Sequence, residues 1–269
     1  MRLAVSNIAW KQQDDAAVAA MMRDAGVTGV EVAPTAVWPE PLLVTVEELK
    51  AYRAWWSDQG IQVVALQALL FGHPELTLFG ALERRTDMLR HLIGMADIAA
   101  ALGAGPMVFG SPRNRTVGDV PREVANRIAT EFFREAGARA AERGVALCVE
   151  PNPPAYGCDF VTTVADGLEL VRSVASAGFG LHMDAGTLAL NGEPIASTIG
   201  EAAWATRHFH ASEPFLAPLG SGTTNHDGCA QALRASGYTG WVSLEMRQPS
   251  DGLEGVRRSL AVLRAHYGG

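Results

Sequence analysis

Val145-Ala146-Leu147-Cys148-Val149-Glu150 is a short β-rich run that is entered after Gly144 and closes on a carboxylate. Three later runs share its form: Gly180-Leu181-His182-Met183-Asp184, Arg207-His208-Phe209-His210 and Trp241-Val242-Ser243-Leu244-Glu245. Each ends on a residue able to bind a metal ion. Outward toward the amino terminus, further runs occur at Leu3 to Ser6, Gly29 to Ala33, Ile61 to Gln67 and Pro106 to Phe109, which brings the number of predicted strands to eight. Between them apolar residues fall at helical intervals, as in Leu89, Ile93, Ala96 and Ala100, or Leu253, Val256, Leu260, Leu263 and Tyr267.

Start and stop signals support this segmentation. Thr45-Val46-Glu47-Glu48 reads as a capping box, and Thr163-Val164-Ala165-Asp166 has the same form. Gly26, Gly60, Gly103, Gly144, Gly178 and Gly237 lie between helix and strand, where a left-handed cap favours a residue without Cβ. The strand ends repeat at roughly 34 residues. Strict alternation implies parallel strands with right-handed crossovers, and eight units predict one closed (β/α)8 barrel over residues 1–269. An open doubly wound sheet would carry a Gly-rich phosphate loop after its first strand, and Ser6-Asn7-Ile8-Ala9-Trp10 is no such loop.

The 269 residues are 48% hydrophobic and 19% charged, with net charge −7 and pI near 5.5. No Lys/Arg cluster is present to neutralise a phosphate backbone, so a nucleic-acid partner is not expected. No stretch approaches the roughly 18 apolar residues of a membrane span, and the first apolar run is too short for a signal peptide. Cys148, Cys158 and Cys229 form no paired motif. These features predict a cytoplasmic protein with no membrane partner; they leave homo-oligomerisation open.

In a barrel, Glu150, Asp184, His210 and Glu245 would converge at the carboxyl ends of strands five to eight, where active sites sit. Three carboxylates so close would repel, and one would protonate unless a cation neutralised them. A divalent ion resolves the conflict. The mainly oxygen donor set suits Mg²⁺ or Mn²⁺, with Zn²⁺ or Co²⁺ still open. An octahedral ion with four protein ligands would keep two positions for vicinal oxygens of a polyhydroxy carbonyl substrate.

The same residues carry a resemblance. Glu150-Pro151-Asn152, Asp184-Ala185-Gly186, His208-Phe209-His210 and Gly237-Tyr238-Thr239-Gly240-Trp241 followed by Glu245 are similar, in this order, to motifs of the xylose isomerase-like barrel superfamily of sugar isomerases and epimerases. The ligand type and order resemble its ketose 3-epimerase branch. That resemblance implies that Glu150 and Glu245, besides binding metal, are acid and base in enediolate chemistry on a sugar, sugar phosphate or polyol-derived ketone. It also implies that Glu213 braces the site. Two branch substrate contacts are missing: Thr187 stands where the branch has His, and Leu216 where it has Arg.

Strand alternation points His182 and His208 inward, one layer below Asp184 and His210. Trp10, Trp38, Phe71 and His73, in the loops after strands one to three, are candidates for a wall or lid. The expected function is therefore a metal-dependent isomerase or epimerase. An inosose-type dehydratase on the same residues is an alternative, as is a non-catalytic barrel that keeps its metal for stability. An abasic-site endonuclease shares the superfamily barrel, but its trinuclear zinc cluster needs more ligands than seven histidines readily supply.

Overall fold

The strands are Arg2–Ser6 (β1), Gly29–Val32 (β2), Gln62–Leu66 (β3), Pro106–Phe109 (β4), Ala146–Val149 (β5), Phe179–Asp184 (β6), Thr206–Ser212 (β7) and Trp241–Glu245 (β8). In the computed structural model, which describes residues 1–269, they are parallel and close into one barrel in chain order. The predicted (β/α)8 architecture is the observed one. Helices Asp15–Ala25 (α1), Val46–Asp58 (α2), Leu82–Leu102 (α3), Arg122–Ala141 (α4), Val164–Val174 (α5), Ala185–Asn191 (α6), Ile195–Ala202 (α7), His226–Ala235 (α8) and Leu253–Tyr267 (α9) cover the outside. No helix is long and apolar enough to cross a membrane.

Both capping boxes form: the Thr45 hydroxyl accepts from the Glu48 N–H, and the Thr163 hydroxyl from the Asp166 N–H, with the reciprocal carboxylate bonds in place. Of the six interelement glycines, five have positive φ. Gly178 does not. There the left-handed cap is Ala175, at φ 49°, and glycine is needed for a different reason. A Cβ at Gly178 would collide with the Gly137 carbonyl oxygen and lie 2.7 Å from the Ala141 nitrogen, so this glycine lets helix α4 lie against the sheet.

The large apolar core of 69 residues lies between the strands and the helices, where Val242 and Leu244 of β8 belong. Inside the barrel the apolar material is slight: Ala4, Val64, Ala65 and Trp241 form a cluster of four. Trp241 plugs the amino-terminal end, since a Cβ on Gly29 would meet its ring at 2.7 Å. Arg2 stacks 4.6 Å from that ring. Barrels of this type usually fill their interior with branched aliphatic residues. Here the layer above Trp241 is polar, with Glu31, His182, His208 and Ser243 all fully buried. Residues are placed in it by alternation and register, which sets His182 beside His208 and Asp184 beside His210.

Strand β7 extends past the predicted His210 to Ser212, because Ser212 pairs in register with Glu245 on β8. Strand β5 stops one residue short of Glu150, whose N–H is nonetheless tied to the Phe109 carbonyl at 3.1 Å.

Candidate metal centre

Glu150, Asp184, His210 and Glu245 come together at the carboxyl end of the barrel. Donor atoms of Glu150, His182, Asp184 and His210 all lie within 4.8 Å of one another. Glu245 joins them through His210, whose Nδ1 is 3.2 Å from the Glu245 carboxylate and 3.8 Å from that of Asp184. Asp184 also caps helix α6: the Thr187 N–H donates to one carboxylate oxygen at 2.7 Å, and the Ser212 hydroxyl donates to the other. Glu150 is packed against backbone. A Cβ at Gly110 would strike its carboxylate, so only glycine at the end of β4 leaves that space.

Two buried groups outside the predicted set hold two of these residues, Glu31 at His210 and Arg115 at the Glu150 backbone. Glu31, wholly buried on β2, accepts from His210 Nε2 at 3.0 Å and lies 3.4 Å from His208 Nε2. This contact directs the Nδ1 face of His210 toward the carboxylates, the arrangement by which a carboxylate fixes the orientation of a ligating imidazole. Arg115, also wholly buried, donates to the backbone carbonyls of Phe109 at 3.3 Å and Glu150 at 2.6 Å, clamping the ends of β4 and β5. A charged residue inside the apolar run Gly29-Val30-Glu31-Val32 was a visible signal for Glu31. Arg115 lies in a loop with no periodicity and gave none.

The electrostatics fit a cation. Burial, then the neighbouring Asp184 and Glu245, push the Glu150 carboxyl up to about 8. Burial and Glu245 raise Asp184 to about 6. Burial alone would lower His210, but Glu31 and Glu245 hold it well above the usual imidazole range. His210 and His208 outweigh burial at Glu31 and keep it ionised far below the usual carboxylate range. The His210 Nδ1 has no hydrogen-bond partner although it is buried. An orphaned imidazole nitrogen facing three crowded carboxylates fits a divalent ion.

Glu150, Asp184 and Glu245 line a cavity of about 380 Å³ together with Asn152, Tyr156, Ser212, Glu213 and Arg247. His182 and His208 lie beneath it, as alternation predicts. His182 Nε2 is 3.9 Å from Glu150, and neither ring of the two has a hydrogen bond. Glu213 lines the cavity but braces its own loop, through the N–H groups of Gly220 and Thr224 and through His226 at 3.2 Å. That loop carries Phe215 and Leu216 over the mouth at positive φ, and the Phe215 N–H donates to the Tyr156 hydroxyl at 2.9 Å. Trp10 and His73 are placed elsewhere. Trp10 is buried, bonded to Asp15 at 2.7 Å and packed edge-on against Trp56. His73 pairs with Glu75 at 3.0 Å and packs on His91. Both serve to anchor loops instead of lining the cavity.

A closed parallel barrel whose polar groups gather at the carboxyl ends of its strands defines a TIM-barrel protein with its site at that mouth. The chain belongs to the xylose isomerase-like TIM-barrel family, whose model matches residues 19–266. A Streptomyces coelicolor protein provisionally named hydroxypyruvate isomerase is 31% identical over 243 residues, covering 84% of this chain and 83% of that protein. Among solved structures, a D-psicose 3-epimerase in the presence of D-fructose matches with a TM-score of 0.83 at 18% identity over all of both chains. The 3-keto-D-glucoside 4-epimerase of E. coli matches at 0.82 and 19%, over 98% of this chain and 99% of that one. The IolI protein, described with a bound zinc atom, matches at 0.76 and 19% over all of both chains. At such identities the structural likeness establishes the fold. Family and sequence relative together make the chain a sugar isomerase- or epimerase-like enzyme.

Proposed function

We propose that this protein is a divalent-metal-dependent isomerase or epimerase of a small polyhydroxy carbonyl compound. Glu150, Asp184, His210 and Glu245 hold one ion, Mg²⁺ or Mn²⁺ by donor type. The observation that carries the reading is the buried Nδ1 of His210, without a hydrogen-bond partner, set against three carboxylates. When bound, the ion supplies Lewis-acid polarisation of the substrate carbonyl and stabilises negative charge on its oxygens.

The three acids are not equivalent. Each Asp184 oxygen accepts one hydrogen bond, from Thr187 or Ser212, so Asp184 is fixed in orientation with its remaining lone pairs directed to the ion, and it is assigned to ligation and not to proton transfer. The Glu150 carboxylate has a 3.4 Å contact with the Asn152 amide and lies 3.9 Å from His182 Nε2, and Glu245 lies 3.2 Å from His210 Nδ1. Each therefore keeps an oxygen for a proton. Glu150 stands just past β5 and Glu245 at the end of β8, so one glutamate removes the proton from the carbon beside the carbonyl and leaves an enediolate. The other returns a proton to the same carbon's opposite face, which epimerises, or to the former carbonyl carbon, which isomerises. The sequence relative's name favours a short substrate of this kind: hydroxypyruvate would lose a C3 proton, gain one at C2, and become its 3-aldehyde isomer.

The test is deuterium incorporation from D₂O into hydroxypyruvate, dihydroxyacetone and a set of ketoses, with Mg²⁺ or Mn²⁺ and with chelator. Metal-dependent label at the carbon next to the carbonyl is expected; no label in any compound with any divalent metal overturns the reading. Glu245→Gln is expected to lower kcat about 10²–10⁴-fold with the fold intact. Unchanged turnover in that variant would leave the metal a purely stabilising part.

A further inference from the structure

Arg247 is the only cationic side chain lining the cavity, which is otherwise acidic: Glu150, Asp184, Glu213 and Glu245 all face it. A guanidinium among four carboxylates would ordinarily pair with one of them. Arg247 pairs with none. Glu213 is bound up with His226 and its loop, and Asp184 with Thr187 and Ser212, while Glu245 lies 3.2 Å from His210 Nδ1. The Arg247 backbone is meanwhile fixed, its N–H donating to the Leu216 carbonyl at 2.9 Å. Arg247 follows Glu245 by two residues and is exposed, so it extends from the end of β8 into the open part of the same cavity.

We infer that Arg247 binds a carboxylate group on the substrate, and hence that the substrate is a short hydroxy-oxo acid and not a neutral sugar. The inference rests on the proposed isomerase site and adds the charge of its substrate. Two observations favour it. The cavity, about 380 Å³, is near the lower end of the roughly 300–1,000 Å³ range of ligand sites. One planar guanidinium with no neighbouring cation matches a monoanionic carboxylate in a two-pronged contact. A phosphate dianion would call for further donors, such as a free helix N-terminus. The helix that begins at this mouth, α6, has its amino end already capped by Asp184.

The experiment compares hydroxypyruvate with its neutral isostere dihydroxyacetone, and with dihydroxyacetone phosphate, in wild type, Arg247→Ala and Arg247→Lys, all saturated with Mg²⁺. Wild type is expected to prefer hydroxypyruvate over dihydroxyacetone about 100-fold or more in kcat/KM. Arg247→Ala should lose most of that ratio, chiefly through KM, and Arg247→Lys should restore part of it. A ratio unaffected by Arg247→Ala overturns the inference and leaves the isomerase reading standing. Preference for dihydroxyacetone phosphate over hydroxypyruvate overturns the carboxylate in favour of phosphate. Equilibrium binding of D-glycerate and glycerol gives a readout independent of turnover. Glycerate should bind wild type at least about 10-fold more tightly than glycerol, and lose that advantage in Arg247→Ala. Equal binding of the two by wild type overturns the inference even if no compound is turned over, the outcome that separately defeats the isomerase reading.

Discussion

Glu31 and His210 are 179 positions apart in the chain, yet the contact between them decides which imidazole nitrogen faces the carboxylates. If Glu31 orients a ligand, Glu31→Gln should weaken Mn²⁺ or Mg²⁺ binding by about 10–100-fold, measured by titration calorimetry, while the circular dichroism spectrum stays native. Unchanged affinity would reduce Glu31 to a buried counter-charge for His208 and His210. The elevated Glu150 and Asp184 carboxyls make a second statement at this scale. Burial and mutual repulsion make these carboxyls hold protons more firmly than ordinary carboxylates do, and an incoming cation must displace them. Metal binding should therefore release protons near neutral pH, seen as a dependence of the apparent binding enthalpy on the buffer's ionisation enthalpy. A binding enthalpy that is the same in every buffer would contradict the crowded-carboxylate picture.

At the scale of elements, most of what positions the site is ordinary capping and close packing. The Thr163 capping box starts α5 directly after the segment that follows Glu150, and Thr163→Ala should cost about 1 kcal/mol. The expected signature is a lower denaturant midpoint with an unchanged m-value. Gly178 presses the start of β6 against α4, and Gly178→Ala should cost more, about 1–3 kcal/mol, because the new methyl meets backbone that cannot rotate away. A neutral result would mean that α4 can shift outward without loss. The β7–α8 loop is different in kind. Phe215 and Leu216 hold φ near 60° side by side, an arrangement that costs free energy for side chains with a Cβ and recurs at functional sites. Glu213 supplies the compensating bonds, so its carboxylate acts on the cavity through the loop it braces.

For the molecule as a whole, a barrel interior filled with Glu31, His182, His208 and Ser243 exchanges apolar packing for a polar stack beneath the mouth. Stability should then depend on pH and metal together. Glu150 and Asp184 have folded values raised above their unfolded ones, so their contribution is present below the ordinary carboxylate range and lost as pH rises through about 6 and about 8. His210, raised above the usual imidazole value, has the same sign. Glu31 has the opposite sign, and its contribution fades only in acid. The metal-free protein should lose thermal stability from pH 5.5 to 8.5, and the gain in Tm on saturation with Mg²⁺ should grow over that interval. A metal-induced gain that shrinks with rising pH would argue against ligation by these carboxylates.

The sequence by itself determined the strand count, the alternation, the caps and the four residues at the ends of β5 to β8, because these depend on local periodicity and on residues fixed relative to their own strand. It also located His182 and His208 one layer down, since alternation along a strand is a local property. Only the tertiary structure decided that Glu31 on β2 reaches His210, that Arg115 ties β4 to β5, that Gly178 serves packing and not a left-handed cap, and that Arg247 stands unpaired in the mouth. Trp10 and His73 belong with these, for a loop's direction is set by what it packs against and not by its own spacing. Barrel closure brings residues from distant strands within a few ångströms, and no periodicity along the chain encodes those distances.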